Sequence, residues 1–418
     1  MAQLSDDCFA FGGRLMTTAE ALVLLDARTD SVANVETVTL VNAAGRILAE
    51  EIVAAANVPP HDNSAVDGYA VYFSDLERDG DTCLPVTGRV TAGHPLRRKA
   101  KLGEAIRIFT GAVMPNGPDT VLMQEDCREQ NGDVIIRAGI QCGANMRHAG
   151  EDISGGDMVL QRGRRLRPQD IGLAASVGRK RLDVFTPLRV AVFSTGDELR
   201  KPGARLATGC IYDSNRYTLI AALKQMGSRV TDLGIIADKA EAVREALEAA
   251  AVNHDLLITS GGVSVGDEDH VCGAVEALGK LHFWRLAIRP GRPVALGQVG
   301  STPFVGLPGN PVAVMVTFLL IARPLILRLG GATDIVPMHY KVRAGFDYEK
   351  KKDRREFIRA RLNMTSDGTP VAVKFPRDGA GILSSLVEAD GLVELPEDMT
   401  QLVAGNLVDF MPFNELSR

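Results

Sequence analysis

The feature that most constrains the fold is a regular alternation of strand-like and helical patterns across residues 188–329. Four short, mostly apolar runs are typical of buried strands, and they lie at residues 189–195, 230–236, 255–260 and 303–307. Amphipathic helical patterns separate them, and Asn310-Pro311 supplies a cap and a first-turn proline for the last helix. This alternation predicts βαβ units, with a parallel sheet and helices on both of its faces.

Sequence rich in β-formers flanks the α/β segment on both sides. Residues 38–137 alternate short strands with Gly/Pro turns, which predicts a small antiparallel β-domain, and residues 333–418 predict a small β-barrel or sandwich. A capping-box pattern from Thr17 to Glu20 opens a first helix, and a second helix is predicted at 169–177. We therefore predict a multidomain α/β plus β chain with four domains: a helical linking domain (1–50 with 145–182), an inserted β-rich domain (51–144), an α/β domain (183–331) and a C-terminal β-barrel (332–418).

Composition narrows the class of protein. The 418 residues carry a formal net charge of −5, with 45% hydrophobic and 24% charged residues, which is ordinary for a globular protein and argues against nucleic-acid binding. The six cysteines are scattered without a C-x-x-C pair, which favours reduced thiols over a zinc site or disulfides. The apolar run 312–329 is broken by Arg323-Pro324 and fits a buried helix better than a membrane span. Because the first residues lack a secretory-signal pattern, we expect a cytoplasmic protein.

Polar loops follow each of the four predicted strands. In open α/β sheets, ligands bind beyond the carboxyl ends of the strands, so these loops are expected on one edge. Together the loops carry two glycine turns, several acids and other polar residues. The candidate site residues are Glu198 after the first strand, Asp238 after the second, Ser260, Gly261, Gly262, Ser264, Asp267 and Asp269 after the third, and Pro308, Gly309 and Asn310 after the fourth.

The Gly261-Gly262 turn indicates the kind of ligand. Consecutive backbone amides before a helix N-terminus form a cradle for an anion, although Ser-Gly-Gly on its own is more often a plain tight turn. Neither a Walker loop nor the G-x-G-x-x-G fingerprint is present. Carboxylates beside a phosphate site normally indicate Mg²⁺, which bridges the two. We therefore predict a phosphorylated ligand with Mg²⁺, anchored by Asp238 and Asp269.

Cationic and acidic residues outside these loops extend the candidate site. Arg285, Arg289 and Arg292 lie around a Pro-Gly turn in a predicted connector before the last strand of the sheet. Singly, each is typical of a protein surface, but together they favour a second oxyanion pocket, because guanidinium groups match phosphate-like geometry. In the β-rich region, Asp67 and Asp152 lie in polar loops, which taken alone are more typical of turns with solvated acids.

These segments together resemble the molybdopterin molybdenumtransferase family, which includes the C-terminal domain of gephyrin. Any one match is weak, whereas eight in family order across about residues 17–413 are specific. The matching segments are Ser64-Ala-Val-Asp-Gly-Tyr-Ala70, Ile108-Phe-Thr-Gly-Ala112, Gly150-Glu-Asp-Ile153, Ser194-Thr-Gly-Asp-Glu-Leu199, Ile211-Tyr-Asp-Ser-Asn-Arg216, Ser260-Gly-Gly-Val-Ser-Val-Gly-Asp267, Arg289-Pro-Gly-Arg-Pro293 and Leu307-Pro-Gly-Asn-Pro311.

The resemblance implies an elongated homodimer of four-domain subunits, whose α/β domain has the molybdopterin-binding fold. It implies that molybdate is inserted into the dithiolene of adenylylated molybdopterin, with Mg²⁺-dependent pyrophosphate cleavage that releases AMP. It also implies an active site shared between subunits and a molybdopterin adenylyltransferase as the upstream partner. By motif, the residues similar to the family's functional positions are Asp67, Thr110, Asp152, Glu198, Asp238 and Asp269.

The sequence departs from the family pattern at three places. Arg289 and Arg292 stand where the family often has lysines, so charge is kept but shape is not. Ala313 and Ala380 stand where hydroxyl side chains are usual, although Ser384 and Ser385 are near the second. The two alanines leave open which hydroxyl groups, if any, bind molybdate.

Two other functions are compatible with the α/β segment. A nucleotide pyrophosphatase of the competence-damage type shares the fold, but that class lacks the β-domain segments found here at residues 64–70 and 108–112. A non-catalytic scaffold, as gephyrin is, depends on linked additional domains, and we expect neither a linker nor a second enzyme domain here.

Overall fold

A computed structural model describes residues 15–262 and 270–414 of the chain. Contacts divide the chain into two units. Unit 1 comprises residues 1–50, 162–167 and 181–418, and unit 2 comprises residues 51–161 and 168–180.

The helices predicted from the Thr17–Glu20 capping box and from Asn310-Pro311 are formed, although Asn310 makes no side-chain capping hydrogen bond, and the short helix Ser384–Glu388 was not predicted. The helices of the described residues are α1 (Thr18–Arg28), α2 (Pro168–Ser176), α3 (Asn215–Gln225), α4 (Ala240–Asn253), α5 (His270–Leu278), α6 (Pro311–Thr317), α7 (Arg323–Leu329) and α8 (Ser384–Glu388). The capping box of α1 is confirmed: the Glu20 amide donates to Thr17 Oγ1 at 3.2 Å, and the Thr17 amide donates to the Glu20 carboxylate at 2.9 Å.

The strands are mostly short. In chain order they are β1 (Leu15–Met16), β2 (Val35–Thr39), β3 (Ile52–Val53), β4 (Asn63–Ser64), β5 (Gly68–Val71), β6 (Thr82–Val90), β7 (Ala105–Ile108), β8 (Thr120–Met123), β9 (Cys127–Gln130), β10 (Asp133–Ile136), β11 (Met146–Arg147), β12 (Met158–Leu160), β13 (Arg181–Phe185), β14 (Arg189–Thr195), β15 (Leu199–Arg200), β16 (Ile211–Tyr212), β17 (Arg229–Ile236), β18 (Leu256–Ser260), β19 (Gly279–Leu286), β20 (Ile288–Arg289), β21 (Pro293–Val299), β22 (Thr302–Leu307), β23 (Tyr340–Ala344), β24 (Tyr348–Glu349), β25 (Arg355–Met364), β26 (Pro370–Lys374), β27 (Gly391–Leu395), β28 (Gln401–Leu402) and β29 (Leu407–Pro412).

Unit 1 is built on a seven-stranded sheet with the order β1-β19-β21-β22-β18-β14-β17. The neighbours β22, β18, β14 and β17 are parallel, as the strand–helix alternation predicts. The predicted connector before β22 is wrong in part, because β19 and β21 pair with each other in antiparallel register. Lys280, His282 and Arg285 interrupt the apolar pattern of β19, so the sequence does not read as a buried strand.

Apolar cores cover both faces of this sheet. One face packs against α1, α3 and the α6–α7 segment, with Leu25, Leu219 and Val316 among its buried side chains. The other face packs against α4 and α5 through Leu247 and Val275. The predicted doubly covered α/β sheet is therefore confirmed, and a sheet shielded on both faces leaves its edges for ligands.

The apolar stretch Pro311–Leu329 is one continuous helical segment, and Arg323-Pro324 interrupts its apolar sequence without ending the helix. A π-helical turn at Phe318–Ala322 joins α6 to α7, and Pro324 lies in the first turn of α7. By length and composition the stretch could cross a membrane, but 89% of its most apolar window is buried inside the protein. It is therefore the central core helix that the sequence predicts.

The C-terminal part of unit 1 is a closed barrel. Its strands follow the order β20-β25-β26-β23-β29-β27, and an additional β25–β27 pairing closes β25, β26, β23, β29 and β27 into a ring. Val342, Ala360, Leu395 and Phe410 fill the interior. Of the predicted barrel or sandwich, the barrel is the one formed.

Unit 2 contains a six-stranded sheet with the order β8-β5-β7-β6-β10-β9. Most neighbours are antiparallel as predicted, but β6 and β7 are parallel, with Arg89 opposite Arg107. Residues 91–104 connect these two strands and supply the roughly dozen residues that a parallel crossover needs. The sheet buries apolar residues on both faces, including Tyr69 on one and Ile106 on the other.

Candidate functional site

The four predicted polar loops lie at one edge of the parallel sheet. Because β22, β18, β14 and β17 are parallel neighbours, their carboxyl ends face the same way. The third and fourth loops are hydrogen-bonded to each other, since the Gly261 amide donates to the Leu307 carbonyl at 3.0 Å. Asn215, at the beginning of α3, donates from Nδ2 to the Gly309 carbonyl at 2.7 Å and fixes the fourth loop.

The Gly261-Gly262 turn requires glycine for conformation and for space. Both residues have positive φ, 80° and 62°, in the region that disfavours side chains. A Cβ on Gly262 would lie 2.6 Å from Thr195 Oγ1, so the turn packs directly on the end of β14. Bare backbone amides are therefore available at this edge, as an anion cradle requires.

Buried hydroxyl groups stand at the same strand ends. Ser194 and Thr195 on β14 and Thr259 on β18 are 1%, 3% and 0% exposed. Within the described part of the chain their hydroxyl oxygens have no hydrogen-bond partner. Buried polar atoms are normally satisfied, so these strand ends are suited to a polar ligand.

Two of the predicted acids are described at this edge. The Glu198 carboxylate lies against Gly196, whose added Cβ would be 2.5 Å from Glu198 Oε2, and Asp238 is half-buried just after β17. Ser264, Asp267 and Asp269 lie outside the described residues. Among residues 15–262 and 270–414, no three His, Cys, Asp or Glu side chains converge as a metal site.

The beginning of α6 meets the loop that precedes α8. The Val312 amide donates to the Ala380 carbonyl at 2.9 Å, which joins the helix start to the barrel part of unit 1. Pro308 is buried, whereas Gly309 and Asn310 are exposed. Ala313 and Ala380, the two alanines at positions where hydroxyl side chains were expected, therefore lie on interacting segments.

The predicted oxyanion arginines lie in and beside a closed turn. Arg285 is exposed on β19, and the Leu286 amide donates to the Arg292 carbonyl at 2.8 Å, so residues 286–292 form the turn. A Cβ on Gly291 (φ 97°) would lie 2.6 Å from Thr317 Cγ2, which brings the turn against α6. Arg292 is exposed.

Of the three predicted oxyanion arginines, Arg289 is the one with a charged partner among the described residues. Its Nη1 lies 3.6 Å from Glu356 Oε2, and the Glu356 side chain is only 1% exposed. Glu356 also accepts from the Tyr348 hydroxyl at 2.9 Å and pairs with Arg354 at 2.6 Å. Arg289 is thus tethered to the barrel, with 53% of its side chain still exposed.

Arg359 is a residue of this region that sequence reasoning missed. It is 8% exposed; its Nε donates to Ser385 Oγ at 3.0 Å, and its Nη2 donates to the Arg377 and Gly379 carbonyls at 3.2 and 3.3 Å. Burial lowers the pKa of Arg359; the charges of Asp378 and Tyr348 oppose this shift, and the positive charge of Arg289 adds a smaller contribution in the same direction as burial. Two guanidinium groups therefore share one neighbourhood. The sequence feature that could have pointed to Arg359 was its hydrogen-bond partner Ser385, which lies close in sequence to Ala380, where a hydroxyl side chain is usual.

In unit 2, the structure brings Asp67 and Thr110 into direct contact. Asp67 Oδ1 accepts from the Thr110 amide at 2.8 Å and from Thr110 Oγ1 at 2.7 Å. These two bonds, the backbone one first, hold the pKa of Asp67 below its usual value, and the charge of Arg107 contributes in the same direction. Asp67 is half-buried, and with its pKa lowered it is ionised at neutral pH.

Asp152 lies in a neighbouring loop of unit 2. Its amide donates to the Val58 carbonyl at 3.1 Å, and its side chain is exposed. The Ala149 amide donates to Asp62 Oδ1 at 2.8 Å, so the loop that carries Asp152 is joined to the loop that leads to Asp67. The three predicted residues of unit 2 thus lie on two connected loops and the strand end beside them.

Comparisons with known proteins agree with this geometry. Family models match along most of the chain: "MoeA N-terminal region (domain I and II)" at residues 16–178, "Probable molybdopterin binding domain" at 191–328 and "MoeA C-terminal region (domain IV)" at 341–413.

Relatives and solved structures cover nearly the full length. The chain is 38% identical over 383 residues to the molybdopterin molybdenumtransferase of Haemophilus influenzae, covering 91% of this chain and 94% of the relative. It is 36% identical over 400 residues to that of a Nostoc species, covering 93% and 91%. The crystal structure of the molybdopterin biosynthesis moeA protein of Pyrococcus horikoshii superposes with a TM-score of 0.80 at 28% identity, covering 96% of this chain and 100% of that one.

Proposed function

The chain belongs to the molybdopterin molybdenumtransferase family, and from that premise we propose that it inserts molybdate into adenylylated molybdopterin with Mg²⁺-dependent release of AMP. The observation that carries the proposal is the edge of the parallel sheet, where the Gly261-Gly262 turn, Glu198 and Asp238 all follow the carboxyl ends of neighbouring strands. Backbone amides there can bind phosphate oxygens, and the carboxylates can anchor the cation that phosphates require. Ser264 and Asp267 extend the same binding loop by motif.

The donor set fits Mg²⁺. This ion takes oxygen ligands and is commonly held by one or two carboxylates together with substrate phosphates and water, so a cage of three acids is not required. Asp238 and Asp269 would hold it, and its charge would stabilise the pyrophosphate oxygens during cleavage. Glu198, folded against Gly196, would set the position of the pyrophosphate relative to these acids.

A second anion pocket would receive molybdate. Arg289 and Arg292 lie in the turn that packs on α6, and buried Glu356 tethers Arg289. Arg359 adds positive charge to the same neighbourhood, and Arg285 stands at the end of the adjoining strand. Planar guanidinium groups are suited to a tetrahedral oxyanion. Because positions 313 and 380 are alanine, we propose that charge and backbone amides, rather than hydroxyl groups, dominate molybdate binding here.

The remaining acids would act across a homodimer. Asp67, Thr110 and Asp152 belong to unit 2, and the family resemblance supports a shared site in which they face the α/β edge of the partner subunit. In that arrangement Asp67 is a preformed carboxylate, held ionised by Thr110. The upstream adenylyltransferase would supply the substrate, and all of these steps are expected in the cytoplasm.

The direct test is AMP release from adenylylated molybdopterin on addition of molybdate and Mg²⁺. We expect release with the wild-type protein and none with Asp238→Asn or Asp269→Asn, and the thermal midpoint of each variant is measured alongside to show that it is folded. Full turnover by both variants with unchanged metal dependence would refute the assigned metal site.

Sharing between subunits is tested by mixing two inactive variants. Asp67→Asn and Asp269→Asn are co-expressed so that heterodimers form. If the site is shared, each heterodimer has one site with both lesions and one with neither, and regains about half of the wild-type activity. If each subunit holds its own complete site, every site keeps one lesion and the mixture stays inactive.

A further inference from the structure

Arg107, on β7 of unit 2, contacts the segments on both sides of the Asp67–Thr110 pair. We propose that it is a positioning residue for this pair, holding the two loop ends in the geometry that the reaction needs. The inference rests on the proposed function, in which Asp67 and Thr110 take part. Neither the family motifs quoted above nor the predicted site includes a role for this arginine.

The guanidinium group of Arg107 grips the backbone next to Asp67. Its Nη1 donates to the Gly68 carbonyl at 3.2 Å, and its Nη2 donates to Gln124 Oε1. The Gln124 amide in turn donates to the Asp67 carbonyl at 2.9 Å. One side chain therefore holds the Gly68 carbonyl directly, and it also holds the side chain of Gln124, whose backbone amide binds the Asp67 carbonyl.

Arg107 also stacks on aromatic rings from both segments. Its guanidinium carbon lies 4.8 Å from the centre of the Tyr69 ring and 4.9 Å from that of Phe109. Tyr69 follows Gly68, and Phe109 precedes Thr110, so the same group contacts the neighbours of both partners. Arg107 lies opposite Tyr69 in the β5–β7 pairing, which sets this arrangement in the backbone itself.

The geometry requires arginine rather than any cation. A planar fork can donate to two acceptors in different directions while its faces contact aromatic rings, whereas a lysine ammonium is a compact point charge that cannot do both. The side chain is half-buried, so its contacts are partly shielded from water. Its positive charge also favours the ionised form of Asp67, in addition to the two bonds from Thr110.

The chain offers a matched control in Arg89. Its guanidinium carbon lies 4.9 Å from the same Phe109 ring, and it stands opposite Arg107 on the neighbouring strand. Within the described residues, the contacts to Gly68 and Gln124 belong to Arg107 and not to Arg89. Arg89→Gln therefore removes a neighbouring positive charge and one ring contact but leaves the grip on Asp67 intact.

The test compares Arg107→Gln, Arg107→Lys and Arg89→Gln in the full-length protein. With AMP release as the assay, we expect Arg107→Gln to lower kcat by about 10–100-fold, as small misplacements of reacting groups do, with little change in KM. The acid limb of its kcat profile should move to higher pH. Arg107→Lys should restore most of the acid limb but not kcat, and Arg89→Gln should match the wild type.

A second readout does not depend on activity. Hydrogen exchange at the Thr110 and Gln124 amides should be faster in both Arg107 variants, because these amides donate to Asp67. If Asp67→Asn is inactive while both Arg107 variants keep wild-type kcat and acid limb, the positioning role is refuted and the proposed function stands. If Asp67→Asn is fully active, the proposed role of Asp67 fails, and with it any role of Arg107 in the reaction. Unchanged exchange rates in both Arg107 variants would overturn the positioning of the pair itself.

Discussion

Replacing Arg216 with Met removes the positive charge from a buried ion network at the beginning of α3. Arg216 and Asp213 are each 2% exposed, and Arg216 Nε lies 2.7 Å from Asp213 Oδ2. Arg216 Nη1 lies 2.5 Å from both carboxylate oxygens of Asp232 on β17. The neighbouring Asn215 fixes the Gly309 carbonyl, so this network supports one loop of the candidate site.

The expected loss follows from what the substitution leaves behind. Asp213 would remain as a buried carboxylate, keeping the amide of residue 216 at 3.2 Å as a donor. Asp232 is 42% exposed and would regain water. Breaking a buried ion pair by removing one partner costs about 3–5 kcal/mol, and because one of the two carboxylates is partly solvated we expect about 3 kcal/mol.

Trp284 makes the measurement specific to unit 1. It is the single tryptophan of the chain and is fully buried on β19, so its fluorescence during urea unfolding follows the α/β sheet. Arg244→Met is the surface control, since Arg244 and Glu241 pair at 2.6 Å with 42% and 70% exposure, and an ion pair exposed to water contributes little to stability. Adding Asp213→Leu to Arg216→Met should recover much of the loss. Equal losses in Arg216→Met and Arg244→Met would refute the reasoning.

Three further predictions concern the turn, the charge network of unit 2 and the arginine pocket. Gly262→Ala should abolish AMP release, because the new Cβ would lie 2.6 Å from Thr195 Oγ1. Glu104→Gln should make the stability of the protein depend less on pH in the acid range. The hydrogen bond from Arg98, helped by other donors and opposed by burial, lowers the pKa of Glu104 to about 2. The ionised Glu104 side chain therefore stabilises the fold fully above its ordinary pKa of 4.5, and this stabilisation is lost as the pH falls towards 2. Arg292→Ala should raise the molybdate concentration for half-maximal turnover and leave the affinity for the pterin nearly unchanged.

Each of these has a control and a contradicting result. Gly273→Ala in α5 meets no atom within 4 Å and should keep activity, and activity in Gly262→Ala as well would contradict the close packing of the turn. Calorimetric midpoints of wild type and Glu104→Gln that fall in parallel between pH 5 and about pH 2 would contradict the role of Glu104. A loss of pterin affinity in Arg292→Ala, with unchanged molybdate dependence, would place this arginine on the pterin phosphate.

Local chemistry made much of the fold predictable. The Thr17–Glu20 capping box, the four parallel strands and the core helix after Asn310-Pro311 all depend on residues that are close in sequence. The hairpin of β19 and β21 was not predictable in this way. Lys280 and Arg285 interrupt the apolar pattern of β19, and the strand is stabilised by its pairing with β21. The parallel β6–β7 pair likewise depends on a crossover rather than on local pattern.

In the candidate site, too, the features formed by neighbouring residues were predictable from the sequence, and those formed by distant residues were not. The Gly261-Gly262 cradle could be inferred from backbone chemistry alone, since its residues are adjacent. The Asp67–Thr110 contact joins residues 43 positions apart, and only the family resemblance pointed to it before the structure did. Arg107 and Arg359 were missed because an isolated arginine carries no signal until its partners are known.

The most direct test of the account is the ratio of molybdenum incorporated to AMP released in a single turnover. The wild-type protein is given adenylylated molybdopterin, Mg²⁺ and molybdate, and the pterin-bound molybdenum is measured by mass spectrometry beside the AMP. We expect equal amounts of the two products from the wild-type protein, and neither product with Asp67→Asn. AMP released without molybdenum in the pterin, or at the same rate without molybdate, would contradict it and favour a pyrophosphatase.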